Sequence, residues 1–117
     1  MPVVEVLRVE KTKEEKVRSY VIRTRKMQGD PQPVQCRHSY RDIETFDQAI
    51  RAKLSTKQQE QLPILPVNQK RKTEMTADVQ GVNISHYLQA VLLLEAVQVL
   101  PATAAFLALP RGYDLLH

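Results

Sequence analysis

Near Tyr40 the spacing of apolar residues in this chain changes once, from roughly every second residue to every third or fourth. The two spacings belong to different backbones: alternation suits a strand with one buried face, and three- and four-residue steps suit one stripe of a helix. Before the change, Val3 to Lys13 is rich in β-branched residues and partly alternates with charge, which predicts a first strand. Lys13-Glu14-Glu15 makes a polar break. Lys16 to Met27, with Val17, Tyr20, Val21 and Ile22, predicts a second strand hairpinned to the first. Gly29-Asp30-Pro31 is a turn signal, and a short third strand, Val34 to His38, is expected after it.

After Tyr40, the residues Ile43, Phe46, Ala49, Ile50 and Leu54 mark an amphipathic helix, with Asp42 available as its N-cap. Leu62 to Lys72 (LPILPVNQKRK) is excluded from helix, because Pro63 and Pro66 lack amide donors and bias the residues before them to extended geometry. An extended loop ending in a basic cluster is expected there. A second helix is predicted from Ile84 through Tyr87, Leu88, Val91, Leu92 and Ala96. Pro101 suits the first turn of a third, Ala102 to Leu109, closed by Pro110 and Gly112. Strands followed by helices give an α+β fold: a three-stranded antiparallel sheet, then a helical subdomain with a proline-rich loop.

With 117 residues there is room for one hydrophobic core, so residues 1–117 are expected to form a single domain. The apolar run around Ala90 to Leu94 is broken by Glu95 and falls far short of a bilayer span, and the N-terminus has no signal-peptide pattern. Any membrane contact is therefore expected to be peripheral. A single cysteine, Cys36, allows no internal disulfide and suits a reducing cytoplasm. Three histidines and one cysteine provide no framework of metal-ligand spacing, and no cofactor is expected. The net charge of +4 favours an acidic partner without choosing among phospholipid, nucleic acid and acidic peptide.

Three segments, in order, resemble the phox-homology (PX) family. Tyr40-Arg41-Asp42-Ile43, followed by Phe46 and Ile50, resembles the family's Arg-Arg-Tyr-Ser-Asp-Phe signature. Leu62-Pro63-Ile64-Leu65-Pro66 resembles its proline-rich loop. Tyr87-Leu88-Gln89-Ala90-Val91-Leu92 with Phe106-Leu107 resembles its closing helices. The resemblance covers most of the chain beyond residue 34. It implies a membrane-targeting module of trafficking proteins, sorting-nexin-like, peripheral on endosomal or other phosphoinositide-bearing membranes. It further implies no catalysis, a monomeric isolated domain and a groove for a phosphoinositide headgroup, commonly phosphatidylinositol 3-phosphate. In that groove guanidinium forks and an ammonium would hold the phosphates while an aromatic ring lies beneath the inositol.

Residue by residue, the aromatic platform is Tyr40. The family's arginine just before it is Ser39 here, the lysine two residues beyond the last loop proline is Asn68, and the arginine seven residues before the helix tyrosine is Gln80. Charge-assisted hydrogen bonds are worth about 1.5 to 3 kcal/mol each, so losing three such ligands removes several kcal/mol. Compensating cations would have to come from Arg37, Arg41, Lys70, Arg71 and Lys72, which with Tyr40 form the candidate phosphoinositide site; His38 also lies beside Ser39. Met75, Val79 and Val82 fall in the segment that the family often dips into the bilayer.

Each of these residues also has a plain structural reading. Ser39 and Asp42 have capping-box spacing. Arg41 has Glu44 as a possible ion-pair partner, Tyr40 suits a core position, Lys70-Arg71-Lys72 suits a solvated loop, and His86 suits a polar helix face. Cys36 and His38 would share one side of a strand, a faint hint of a nucleophile and its base with no third group to orient them. Nucleic-acid binding is disfavoured because acids interrupt the basic residues and no aromatic stacking motif accompanies them. Two readings follow: an atypical phosphoinositide-binding module, or a PX scaffold whose lipid pocket has decayed and which now binds protein.

Overall fold

The computed structural model describes residues 2–11, 18–26, 30, 32–66, 77–111, 113 and 115. Three strands come first, β1 (Val3–Lys11), β2 (Arg18–Arg25) and β3 (Val34–Ser39), antiparallel and in the order β1-β2-β3. The polar break and the flanks of the Gly29-Asp30-Pro31 turn lie outside the described residues. Val6 pairs with Ile22 but Arg8 with Val21, so Leu7 is an extra residue, a β-bulge that keeps apolar and charged side chains on their own faces on either side of it. Val4, Tyr20 and Ile22, with Cys36 packed against them, join the core on the inner face. Glu5, Arg8, Arg23 and Arg37 occupy the alternate positions on the outer face.

Helix α1 (Tyr40–Lys53) begins where β3 ends. Its N-cap is Ser39 and not Asp42: the Ser39 backbone is extended, its Oγ accepts from the Asp42 amide at 3.2 Å, and the Asp42 carboxylate accepts from the Ser39 amide at 3.1 Å. This reciprocal box satisfies two donors that a helix start otherwise leaves bare. The expected stripe is buried at Ile43, Phe46, Ile50 and Leu54, each contributing about 1.5 to 3 kcal/mol of transfer free energy. The single turn α2 (Thr56–Gln59), opened by a second capping box between Ser55 and Gln58, was not expected from hydrophobic spacing.

Helix α3 (Ala77–Leu92) starts seven residues before the expected Ile84. Its first turns lack a continuous apolar stripe, and Gly81 argues against helix on propensity. Packing explains the glycine. A Cβ there would stand 3.0 Å from Val9 Cγ2 and 3.5 Å from Val6 Cγ1, so Gly81 lets α3 approach β1 closely. Two side chains complete the union: Gln89 Oε1 accepts from the Val4 amide at 2.8 Å and Ser85 Oγ from the Val6 amide at 2.6 Å. A short turn, α4 (Glu95–Gln98), precedes α5 (Pro101–Leu107), which has Pro101 in its first turn as expected. It ends two residues early because Ala108 turns left-handed at φ 57° and the Leu109 amide bonds back to the Ala104 carbonyl at 3.0 Å.

The core lies between the sheet's inner face and helices α1, α3 and α5. At its edge His38, Phe106 and Phe46 form a continuous stack, with ring centroids 4.2 Å apart at both steps. Among the described residues no helix is long and apolar enough to cross a membrane.

Candidate functional site: a groove between the proline-rich loop and helix α3

Residues 63–66 run without regular structure beside α3, as the two prolines require. An open groove lies between them, lined by Pro63, Ile64 and Pro66 on one side and Asn83, His86 and Tyr87 on the other. Ile64 is 89% exposed on its rim.

Helix α1 holds the loop at both ends. Tyr40 Oη donates to the Pro66 carbonyl at 2.5 Å, and Arg51 Nη2 donates to the Pro63 carbonyl at 2.7 Å. Arg51 is itself fixed by Asp47 one turn earlier, Nε to Oδ2 at 2.9 Å, and the other Asp47 oxygen accepts from the Tyr87 hydroxyl on α3. A chain of polar contacts therefore runs from α3 through α1 to the loop, tying both walls of the groove to one helix. The Asp47 carboxylate raises Arg51 above its ordinary value. Burial first, and then the bond to Asp47, push Tyr87 far above the ordinary phenol range, so this hydroxyl keeps its proton.

Among the described residues the lining carries no lysine or arginine. Of the predicted site residues that are described, Tyr40 alone reaches the groove, through its bond to the Pro66 carbonyl and not as part of the lining. Arg37 is not brought there: it lies on the sheet's outer face, with Nη1 3.1 Å from Glu10 Oε2. Arg41 is exposed on the first turn of α1, and among the described residues it has no ion pair, with Glu44 or otherwise. Val79 and Val82 are exposed on the early turns of α3. Lys70, Arg71, Lys72, Met75 and Asn68 lie outside the described residues.

Two of the three substituted family positions, Ser39 and Gln80, have structural employment. Ser39 is the cap of α1. Gln80 is 0% exposed and lies at the Tyr20 phenol, next to the glycine that packs on β1. Cys36 and His38 do not assemble as nucleophile and base. Burial pushes the Cys36 thiol up to about 11, and the two His38 ring nitrogens face the Asp42 carboxylate at 3.3 Å and the Phe106 carbonyl at 2.5 Å. Among the described residues no group of acids, histidines and cysteine could hold a metal ion.

Sequence reasoning missed Arg51 and Asp47. Their four-residue spacing signals a helix pair, but nothing local marks the Pro63 carbonyl, twelve residues away, as a third member.

No protein-family model matches the chain, and no curated protein matches its sequence. Among solved structures, the X-ray structure of a designed CISK-PX domain superposes with a TM-score of 0.69 over 89% of this chain and 96% of that one, at 15% identity. The fold is therefore PX-like: a three-stranded antiparallel sheet followed by helices.

Proposed function

We propose that the chain is a non-catalytic, PX-like docking module that brings its protein to phosphoinositide-bearing membranes such as endosomes, as sorting-nexin-like trafficking proteins do, with weak or atypical grip on the headgroup. The observation that carries this reading is the groove itself. It is braced by Tyr40 and Arg51, and it lies between the same loop and helix where the family resemblance places the inositol phosphate. Its described lining carries no lysine or arginine, so the reading assigns the charge that attracts the membrane to Lys70, Arg71 and Lys72, which follow Pro66 by four to six residues in the sequence.

Basic residues near an anionic surface contribute about 1 kcal/mol each. Replacing all three with glutamine is therefore expected to weaken binding by about 100-fold. The measurement is pelleting with vesicles that carry a panel of phosphoinositides at physiological salt. Absence of lipid-selective pelleting at micromolar protein defeats the proposal.

A second reading is favoured by a described lining without lysine or arginine and by Ile64: a groove that takes an uncharged extended peptide, as in a PX scaffold acting between proteins. Ile64→Asp would then abolish capture of a protein partner while leaving vesicle pelleting unchanged. Loss of pelleting with capture intact contradicts it.

A further inference from the structure

Among the described residues the outer face of the sheet presents four arginines and two glutamates. Glu10 accepts from Arg8 Nε at 2.8 Å and lies 3.1 Å from Arg37 Nη1; Glu5 accepts from Arg25 Nη2 at 2.7 Å and from Arg23 Nε at 3.0 Å. Each carboxylate is shared by two guanidiniums, which leaves the face two positive charges in surplus, half of the chain's +4. Arg8 and Arg37 remain 55% and 57% exposed.

Val21 shows how these arginines lie. It is 3% exposed, yet it is outside the core cluster formed on the inner face. In the strand register its neighbours on the outer face are Arg8 on β1 and Arg37 on β3. Long basic side chains bury their stems on apolar surface and keep the charged heads in water. Each guanidinium thus stands at a glutamate before any partner arrives, and the stems of Arg8 and Arg37, which flank Val21, account for its burial. A guanidinium has five N–H donors and these ion pairs use only one or two of them, so donors remain for further carboxylates.

We propose that this face is a docking surface for an acidic protein segment in extended conformation, distinct from the groove on the far side of α3 and independent of the membrane reading. Charge complementarity selects the occupant. Arg23 and Arg25 are two residues apart on β2, the repeat at which an extended chain presents side chains to one side. Glu5 and Glu10 interrupt the positive field, which disfavours a uniformly anionic membrane plane but is tolerated by a chain that carries carboxylates at intervals.

The test is titration of the 117-residue chain with a ten-residue peptide alternating glutamate and serine, at low salt, followed by calorimetry and backbone amide shifts. Shifts are expected to cluster on β1, β2 and β3. The double variant Arg8→Gln/Arg37→Gln is expected to weaken the peptide at least tenfold. Lys53→Gln/Lys57→Gln, which removes the same net charge from exposed sites elsewhere, should change affinity less than twofold. Glu10→Gln acts in the opposite direction and should strengthen binding, with melting curves confirming that each variant is folded. Equal weakening by the two double variants reduces the effect to net charge and overturns the proposal. So do shifts centred on the groove, or phosphatidylserine vesicles that depend on Arg8 and Arg37 while the peptide does not.

Discussion

Val21 and Ile22 are neighbours on β2, one on each side of the sheet, and solvent reaches them almost equally little, 3% and 0%. The causes differ. Ile22 is enclosed by rigid side chains of the core cluster, whereas Val21 is flanked by arginines whose heads stay in water. The same contrast governs the molecule's charge: the described groove lining has no lysine or arginine, and the ion-paired arginines lie on the sheet's outer face. Burial and charge therefore have to be read by face. A cation close to Tyr40 in sequence, such as Arg37, belongs to the opposite side in space.

The largest expected effect sharpens this contrast. Ile22→Ala should cost about 2 to 5 kcal/mol, because a void among packed core side chains collapses poorly. Val21→Ala should cost only about 1 kcal/mol, since flexible stems can settle into the gap, in keeping with the site dependence of such losses. Chemical denaturation reads both, and equal losses would mean that the outer face is packed like the interior.

Next comes the brace behind the groove. Asp47→Ala leaves Arg51 and Tyr87 without their shared acceptor and should cost about 2 kcal/mol, with faster proteolysis at residues 63–66 as its local signature. An unchanged cleavage rate would show that the loop holds itself. Ser39→Ala removes the α1 cap and should cost about 1 kcal/mol. Vesicle pelleting should survive that change, because Ser39 is engaged by the helix and not by the groove.

The smallest effect concerns acid. Bonds from Arg23 and then Arg25 hold the Glu5 carboxyl below its usual range, and the Ser39 amide does the same for Asp42, with His38 adding to it. Groups lowered in the folded state contribute stability that is complete above the ordinary carboxylate value of about 4 and is lost as pH falls through the lowered one. Glu5→Gln should therefore flatten the acid limb of the stability curve. At neutral pH its cost should stay under about 1 kcal/mol, because the pair is partly solvated. A steeper acid limb in that variant would contradict the assignment.

Local signals were the legible ones. The Ser39-Asp42 box, the stripe of Ile43, Phe46 and Ile50, and the extended Pro63–Pro66 stretch follow from residues a few positions apart, and each stands where the sequence places it. The first two turns of α3 were not legible. Gly81 lowers helix propensity, and only the closeness of Val6 and Val9 shows why it is there. The groove was half legible: Tyr40 and the prolines could be named, while Asp47, Arg51, Asn83 and His86 come together through packing between elements. Arg37 misled because sequence proximity to Tyr40 says nothing about pleat direction; one residue along a strand reverses the side.

The contacts from Ser85 and Gln89 to the amides of Val6 and Val4 have a consequence for self-association. They occupy, with helix side chains, pairing groups that another strand would need along the β1 margin. Over Val4–Val6, β1 is therefore closed to a further strand by side chains of its own helix α3.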